Sequence, residues 1–276
     1  MTPNPPNLAA QVWRDCSAVR EQTPLVQNIS NFVTMAFNAN TLLAFGASPI
    51  MSHANEEAAE IAGLVNAVVV NMGTLDSHWV PSMQTALTLA HQAGKPSVFD
   101  PVGAGASAYR NRVAADLMQR HPTIVRGNAS EILSLAGCTA HTKGVDSADA
   151  VEVALEAAHT LAKQHACVVC VSGANDHIVA PGGKCAILSN GDVMMTQVTG
   201  TGCSASALIG AFAAVQPDPW QACVSAMGSW GVVGQLATAR QAHGAGLGAY
   251  ATALLDVAST LTQDELTATL RVTVTS

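Results

Sequence analysis

Gly200 and Gly202 sit inside the run Thr199-Gly200-Thr201-Gly202-Cys203, and a long apolar run of small residues follows over 204–215. The pattern reads as a tight turn feeding a helix. Glycine lets the backbone turn sharply and lets a ligand come close to the chain. The first N–H groups of a helix lack intrahelical partners, and the helix dipole adds positive charge there. The turn therefore favours an anion. Cys203 falls in the first helical turn, where a thiolate is favoured. No GKS or GKT follows the glycines, so the lysine of a phosphate loop is missing. The glycines also lie too late in the chain for a dinucleotide fingerprint. Taken alone, the stretch reads equally well as a helix entry with structural glycines, with Cys203 as a small buried residue.

Other polar residues close short apolar runs: Asn28 and Asn31, Asn71 and Thr74, Asp100, Arg126 and Asn128, and Ser172. In open α/β sheets ligands bind beyond such strand ends. Asp100 at a strand end and Glu131 in the first turn of a helix suit a hydrated Mg²⁺ held through few protein ligands. Arg126 suits a pair of phosphate oxygens through its fork geometry. With the 200–203 turn, these residues describe phosphoryl transfer from a nucleotide, in which positioning and charge stabilisation do most of the work. Each also has a plainer reading. Asp100 precedes Pro101 and could cap a turn. Arg126 could pair with a surface acid. Asn128-Ala-Ser-Glu131 has the form of a capping box.

The elements that must position these groups alternate. Apolar runs at 24–29, 67–71, 97–99, 123–126 and 167–171 each end on polar or glycine residues and are followed by helical spacing. This is the pattern of a doubly wound, largely parallel α/β sheet with helices on both faces. Runs such as VVCV carry no alternation, as expected for strands covered on both sides. Segments 178–179 and 184–188 flank Pro181-Gly182-Gly183 and read as a hairpin, so antiparallel edge strands are expected. Residues 193–198 form a short alternating apolar run. No long polar linker divides the 276 residues, and one domain over 1–276 is expected.

Charged residues make up 11% of the chain, about half the usual share, so subunit association is expected. The net charge of −7 and the absence of a basic cluster argue against nucleic acid. Neither a long apolar window nor a basic-then-apolar leader occurs, which argues against a membrane span or secretion. Seven cysteines scattered through apolar segments fit a reduced, cytoplasmic protein. Cys167 and Cys170 form a CxxC, but inside what reads as a buried strand. Nine histidines show no HxH or HExxH spacing, which disfavours a zinc hydrolase.

Five segments carry a resemblance: NISNFVTMAFNANTLLAFGASPIM at 28–51, VVNMGTL at 69–75, VFDPVGAGAS at 98–107, IVRGNASEI at 124–132 and VTGTGCSASALIGAF at 198–212. In this order they resemble the hydroxyethylthiazole kinase family of the ribokinase-like superfamily. The resemblance implies a ribokinase-like fold without a separate lid domain. It also implies phosphorylation of 4-methyl-5-(2-hydroxyethyl)thiazole by ATP and Mg²⁺ in thiamine salvage, by a homotrimer with active sites between subunits. By motif match, Met51 and Gly200 would touch the thiazole. Arg126, Ser172 and Asn31 would serve the nucleotide, and Asp100 and Glu131 the magnesium. Gly200, Gly202 and Cys203 would form the catalytic turn, with Cys203 where much of the superfamily carries an aspartate base. Gln27, Ala36 and Ser172 stand where histidine, asparagine and threonine are more usual. A related kinase for hydroxymethylpyrimidine or pyridoxal is the nearest rival. A binding protein that kept the fold and lost the chemistry is another. Gly202 is expected to need a backbone angle that only glycine accepts.

Overall fold

The computed structural model describes residues 6–138, 147–242 and 244–275. His141 and His243 lie outside them. Nine strands form one sheet among the described residues: β1 (Leu25–Ile29), β2 (Ser48–Ile50), β3 (Ala67–Asn71), β4 (Ser97–Asp100), β5 (Ile124–Asn128), β6 (Val168–Ser172), β7 (Asp176–Val179), β8 (Cys185–Leu188) and β9 (Val272–Thr275). Their order is β2-β1-β3-β4-β5-β6-β7-β8-β9. Pairing is parallel from β2 through β6 and antiparallel from β6 through β9. The expected hairpin is the β7–β8 pair, and it extends the sheet into an antiparallel wing.

The absence of alternation in the strands has a direct structural cause. Successive side chains of a strand point to opposite faces, and here each face has its own core. Ala67, Val69, Val98, Ile124, Val168 and Cys170 enter one core. Val68, Val70, Phe99, Val125, Val169 and Val171 enter the other. The first core is closed by α1 (Pro6–Gln22) and α2 (Met35–Phe45), and the second by α3 (Ala58–Leu64), α4 (Trp79–Gln92), α5 (Ala108–Met118), α6 (Ala129–Leu135) and α7 (Ser147–His165). Later in the chain α8 (Thr201–Val215), α9 (Pro219–Arg240), α10 (Leu247–Thr260) and α11 (Gln263–Thr269) return to the first face. Cys167 and Cys170 contribute to opposite cores; burial raises the Cys167 thiol to about 12, and a hydrogen bond with Cys223, then burial, raises that of Cys170. The CxxC is therefore a strand packing feature.

The small residues of α8 let it lie close to the sheet. A Cβ built on Gly210 would come 2.5 Å from Val69 Cγ2 and 3.2 Å from Val26 Cγ1, so only glycine fits between α8 and the strands. Leu208, Ile209 and Phe212 are fully buried, and each such side chain contributes about 1.5–3 kcal/mol to burial. This packing fixes where α8 begins relative to the ends of β3, β4 and β5.

Residues Val193–Gln197 form a short 3₁₀ helix instead of an extended run. Asp192 explains the difference: its side chain accepts from Met194 N at 2.9 Å and nucleates a turn.

Candidate active site

The start of α8 lies at the carboxyl ends of the parallel strands. Gly200 caps it in the left-handed region, with φ +100°. A Cβ there would also meet Phe37 at 3.2 Å and Thr34 at 3.3 Å. Gly202 has ordinary helical geometry, which corrects the expectation that it needs a glycine-only angle. Its constraint is spatial: a Cβ would lie 3.0 Å from Arg126 Nη1. Ser204 N–H bonds Gly200 O at 2.8 Å and Thr201 N–H reaches Val198 O at 3.5 Å. The N–H groups of Gly202 and Cys203 carry no backbone partner outside the helix. The donors left for a ligand at the start of α8 thus narrow to these two. Trp230 Nε1 donates to Thr201 O at 3.0 Å and Thr201 Oγ1 to Met195 O at 2.8 Å, which pins the turn.

Arg126 sits on β5 facing a cleft of about 550 Å³ that is also lined by Ser172, Gly173, Asp176, Gly202 and Trp230. Ser172 closes β6, in register with Asn128, and donates its hydroxyl to Gly127 O at 3.2 Å. Among the described residues Arg126 forms no ion pair, so it is not the partner of a surface acid. Its Nε is buried without a hydrogen-bond partner. Burial opposes the Arg126 charge, but Asp100, Cys170, Asp176 and Glu131 outweigh it and raise the group above the usual arginine value. A guanidinium held charged and partly unpartnered at a cleft wall is suited to an anion.

Asp100 is fully buried at the end of β4. Its Oδ2 accepts from Asn71 Nδ2 at 2.8 Å and Ser206 Oγ at 2.7 Å, while Oδ1 has no partner. It is not a turn cap. Glu131 completes the expected capping box: Asn128 N–H donates to its Oε2 at 2.9 Å and Glu131 N–H donates to Asn128 Oδ1 at 3.0 Å. Gly103 N–H adds a bond to Oε1 at 2.8 Å. Arg110 stitches the same loops together, donating to Met72 O and Val102 O at 2.6 and 2.7 Å.

Burial pushes Asp100 up to about 6 against the pull of Arg126, and Asp176 likewise to about 6. Both carboxylates bind protons more tightly in the folded chain than in the unfolded one. Each therefore leaves stability undiminished below about pH 4 and costs stability progressively up to about pH 6, on the order of 3 kcal/mol for a shift of this size. Asp100→Asn is expected to raise Tm at pH about 8 and to lose that advantage near pH about 4. Thermal melts at both pH values check this, and equal melting of the two proteins at the higher pH would contradict it.

Cys203 lies in the first turn of α8 as expected, but its thiol is raised, first by burial and then by Asp100. The expected thiolate is corrected, because desolvation outweighs the helix dipole here. Asn31 Nδ2 reaches Cys203 Sγ at 3.4 Å and donates to Asn71 Oδ1 at 2.9 Å. Asn31 thus faces the Cys203 side of the site. Met51 follows β2, and Gln27 Nε2 bonds the next residue at Ser52 O at 3.2 Å, tying this segment to β1. Ala36, the other departure from the family pattern, is exposed on α2. Sequence reasoning missed Asp176 and Ser206. Ser206 stands three residues after Cys203, the helical spacing that shares a face.

A mostly parallel sheet, helices on both faces and a helix start beside a cleft at the strand ends define a ribokinase-like fold. The fold is shared with an ADP/ATP-dependent NAD(P)H-hydrate dehydratase from Bacillus subtilis co-crystallised with ATP/Mg²⁺, at 15% identity and a TM-score of 0.58 over 87% of this chain and 90% of that one. The chain belongs to the hydroxyethylthiazole kinase family, whose model matches residues 16–264. A hydroxyethylthiazole kinase of Leptothrix cholodnii is 52% identical over 98% of both chains. One from Nitratidesulfovibrio vulgaris is 45% identical over 95% of this chain and 97% of its own. The solved hydroxyethylthiazole kinase protein from Pyrococcus horikoshii superposes with a TM-score of 0.86 at 36% identity, over 96% of this chain and 99% of its own.

Proposed function

We propose that this chain transfers the γ-phosphoryl group of ATP to the hydroxyl of 4-methyl-5-(2-hydroxyethyl)thiazole, in thiamine salvage. The observation that carries the reading is the meeting of Arg126 with the start of α8 at one cleft wall, in a chain of this family. ATP lies in that cleft with Arg126 and Ser172 on its phosphates. Asn31 serves the nucleotide from the Cys203 side. The thiazole alcohol lies between Met51 and Gly200 and presents its oxygen in line. As the new P–O bond forms and the bond to the β-phosphate breaks, charge spreads over the three equatorial oxygens. The N–H groups of Gly202 and Cys203 stabilise that charge without having to reorganise. Cys203 stays protonated at neutral pH and positions the alcohol. A loose transition state asks little of a base, so the alcohol proton leaves late, to a transferred phosphoryl oxygen and then to water.

Mg²⁺ would be held through Asp100 and Glu131 and would neutralise phosphate charge. The residues fit it: Asp100 Oδ1 is a buried oxygen with no partner, and both groups are hard oxygen donors. Among the described residues no group of three or more His, Cys, Asp or Glu is arranged to hold a metal ion, so the cation would rely on water and phosphate for most of its shell.

The protein is read as one cytoplasmic domain over 1–276 that assembles as a homotrimer with active sites between subunits. Phe32, Val33 and Leu43 are 64%, 66% and 59% exposed in the isolated chain and support association at the α2 side. No helix of the described residues is long and apolar enough to cross a membrane.

The test is steady-state turnover with ATP and Mg²⁺ on the thiazole alcohol, hydroxymethylpyrimidine and pyridoxal. A kcat/KM for the thiazole alcohol at least ~10²-fold above the other two is expected, the size of discrimination that one shaped pocket supplies. Preference for either rival would replace the substrate assignment. Absence of turnover on all three would favour a binding protein.

A further inference from the structure

The hydrogen bonds at the ends of β3 and β4 treat the two oxygens of one carboxylate unequally. Asn71 closes β3 directly beside Asp100 in the parallel register. Its amide nitrogen donates to Asp100 Oδ2, and Ser206, in the second turn of α8, donates its hydroxyl to the same oxygen. Oδ1 is equally buried and accepts nothing. Buried acceptors are seldom left without a donor. The arrangement therefore spends both protein donors on one oxygen and keeps the other open.

Asn71 is itself fixed. Its Oδ1 accepts from Asn31 Nδ2 at 2.9 Å and from Gly73 N–H at 3.0 Å. Turning the amide over would face its NH₂ toward two donors and remove the donor from Asp100. Asn31 spends its amide nitrogen on two partners, Asn71 and the Cys203 sulfur. A continuous chain of contacts thus runs from Cys203 through Asn31 and Asn71 to Asp100, and Ser206 closes it from α8.

We propose that Asn71 and Ser206 are positioning residues for phosphoryl transfer, locking the Asp100 carboxylate so that Oδ1 alone is presented to the divalent cation. Neither touches substrate. Groups that hydrogen-bond a metal-ligating carboxylate orient it and tune its affinity. Asn71 has the further effect of holding Asn31 against Cys203, so that the cation side and the alcohol side keep one geometry. The proposal rests on the reading of Asp100 as part of the cation's shell. A purely structural role for these bonds would staple β3, β4 and α8 together without touching cation affinity.

The experiment is Mn²⁺ binding by electron paramagnetic resonance in the presence of a non-hydrolysable ATP analogue, with Tm measured alongside. It uses the parent protein, Asn71→Ala, Ser206→Ala and Asp100→Asn. Asn71→Ala and Ser206→Ala are each expected to weaken Mn²⁺ by about 10-fold or more. KM for the thiazole alcohol should be unchanged in Ser206→Ala and raised in Asn71→Ala, which also frees Asn31. Ser206→Ala removes a single hydroxyl and carries the test if Asn71→Ala does not fold. Parent-like Mn²⁺ affinity in either folded variant, with Asp100→Asn weakened, overturns the positioning role alone. Parent-like affinity in Asp100→Asn as well overturns the reading of the cation site, and the proposal falls with it.

Discussion

Arg126→Ala is expected to lower kcat/KM for ATP by about 10²–10³-fold, the size seen when one preorganised donor to a developing anion is removed. The fold should still form, with Tm lowered above about pH 6, where the buried Asp100 and Asp176 lose their compensating charge. Arg126 forms no ion pair among the described residues and its Nε has no partner, so few native bonds are lost. What is lost is the charge that holds Asp100 and Asp176 down toward about 6. Without it both carboxyls rise further and stay protonated to higher pH. The acid limb of kcat/KM should therefore move to higher pH in the variant, toward or past neutrality. A profile from about pH 5 to 9 with a Tm at each point checks both effects. An unchanged KM for ATP and an unmoved acid limb would show that Arg126 faces no phosphate.

The second large effect concerns the turn into α8. Gly200→Ala should be the most damaging change there, Gly202→Ala intermediate and Cys203→Ser the mildest. At Gly200 an added Cβ meets both a left-handed backbone and two neighbours, Phe37 and Thr34. The left-handed angle alone costs about 1–2 kcal/mol for a residue with a Cβ. Relief requires the turn to move, and that carries the Gly202 and Cys203 N–H groups off their positions, at about 10²–10³-fold in kcat. At Gly202 the backbone is already helical, and the new Cβ presses on the end of the Arg126 side chain at 3.0 Å. A displacement of a few tenths of an ångström there should cost about 10-fold, since a full ångström of misplacement costs about 10². Cys203→Ser keeps both backbone donors and should stay within about 10-fold of the parent. The measurement is kcat at saturating ATP, thiazole alcohol and Mg²⁺, with folding followed by thermal melt. A dead Cys203→Ser beside a fully active Gly200→Ala would make the thiol the essential group.

The parts of this architecture that were legible in the sequence are those decided locally. The strand runs, the β7–β8 hairpin and the Asn128–Glu131 capping box all follow from residues within a few positions of one another. Local reasoning failed where distant segments decide the outcome. The helix dipole at Cys203 is a local feature, but burial and Asp100, a hundred residues earlier, set its thiol. Two glycines two residues apart look alike in sequence, yet only the descent from the 3₁₀ helix into α8 shows that Gly200 bends left-handed. Ser206 looks like one more small residue in an apolar helix until β4 brings Asp100 against it. Asp176 was hidden because a residue opening a hairpin strand carries no chemical signature; its place beside Arg126 comes from sheet order.

The most direct measurement is a crystal structure with the thiazole alcohol, Mg²⁺ and a non-hydrolysable ATP analogue. The terminal phosphate should accept hydrogen bonds from the N–H groups of Gly202 and Cys203 and from the Arg126 guanidinium, with the thiazole oxygen in line beside Gly200. A nucleotide bound with its terminal phosphate away from the start of α8, or a thiazole alcohol remote from Met51 and Gly200, would contradict the account.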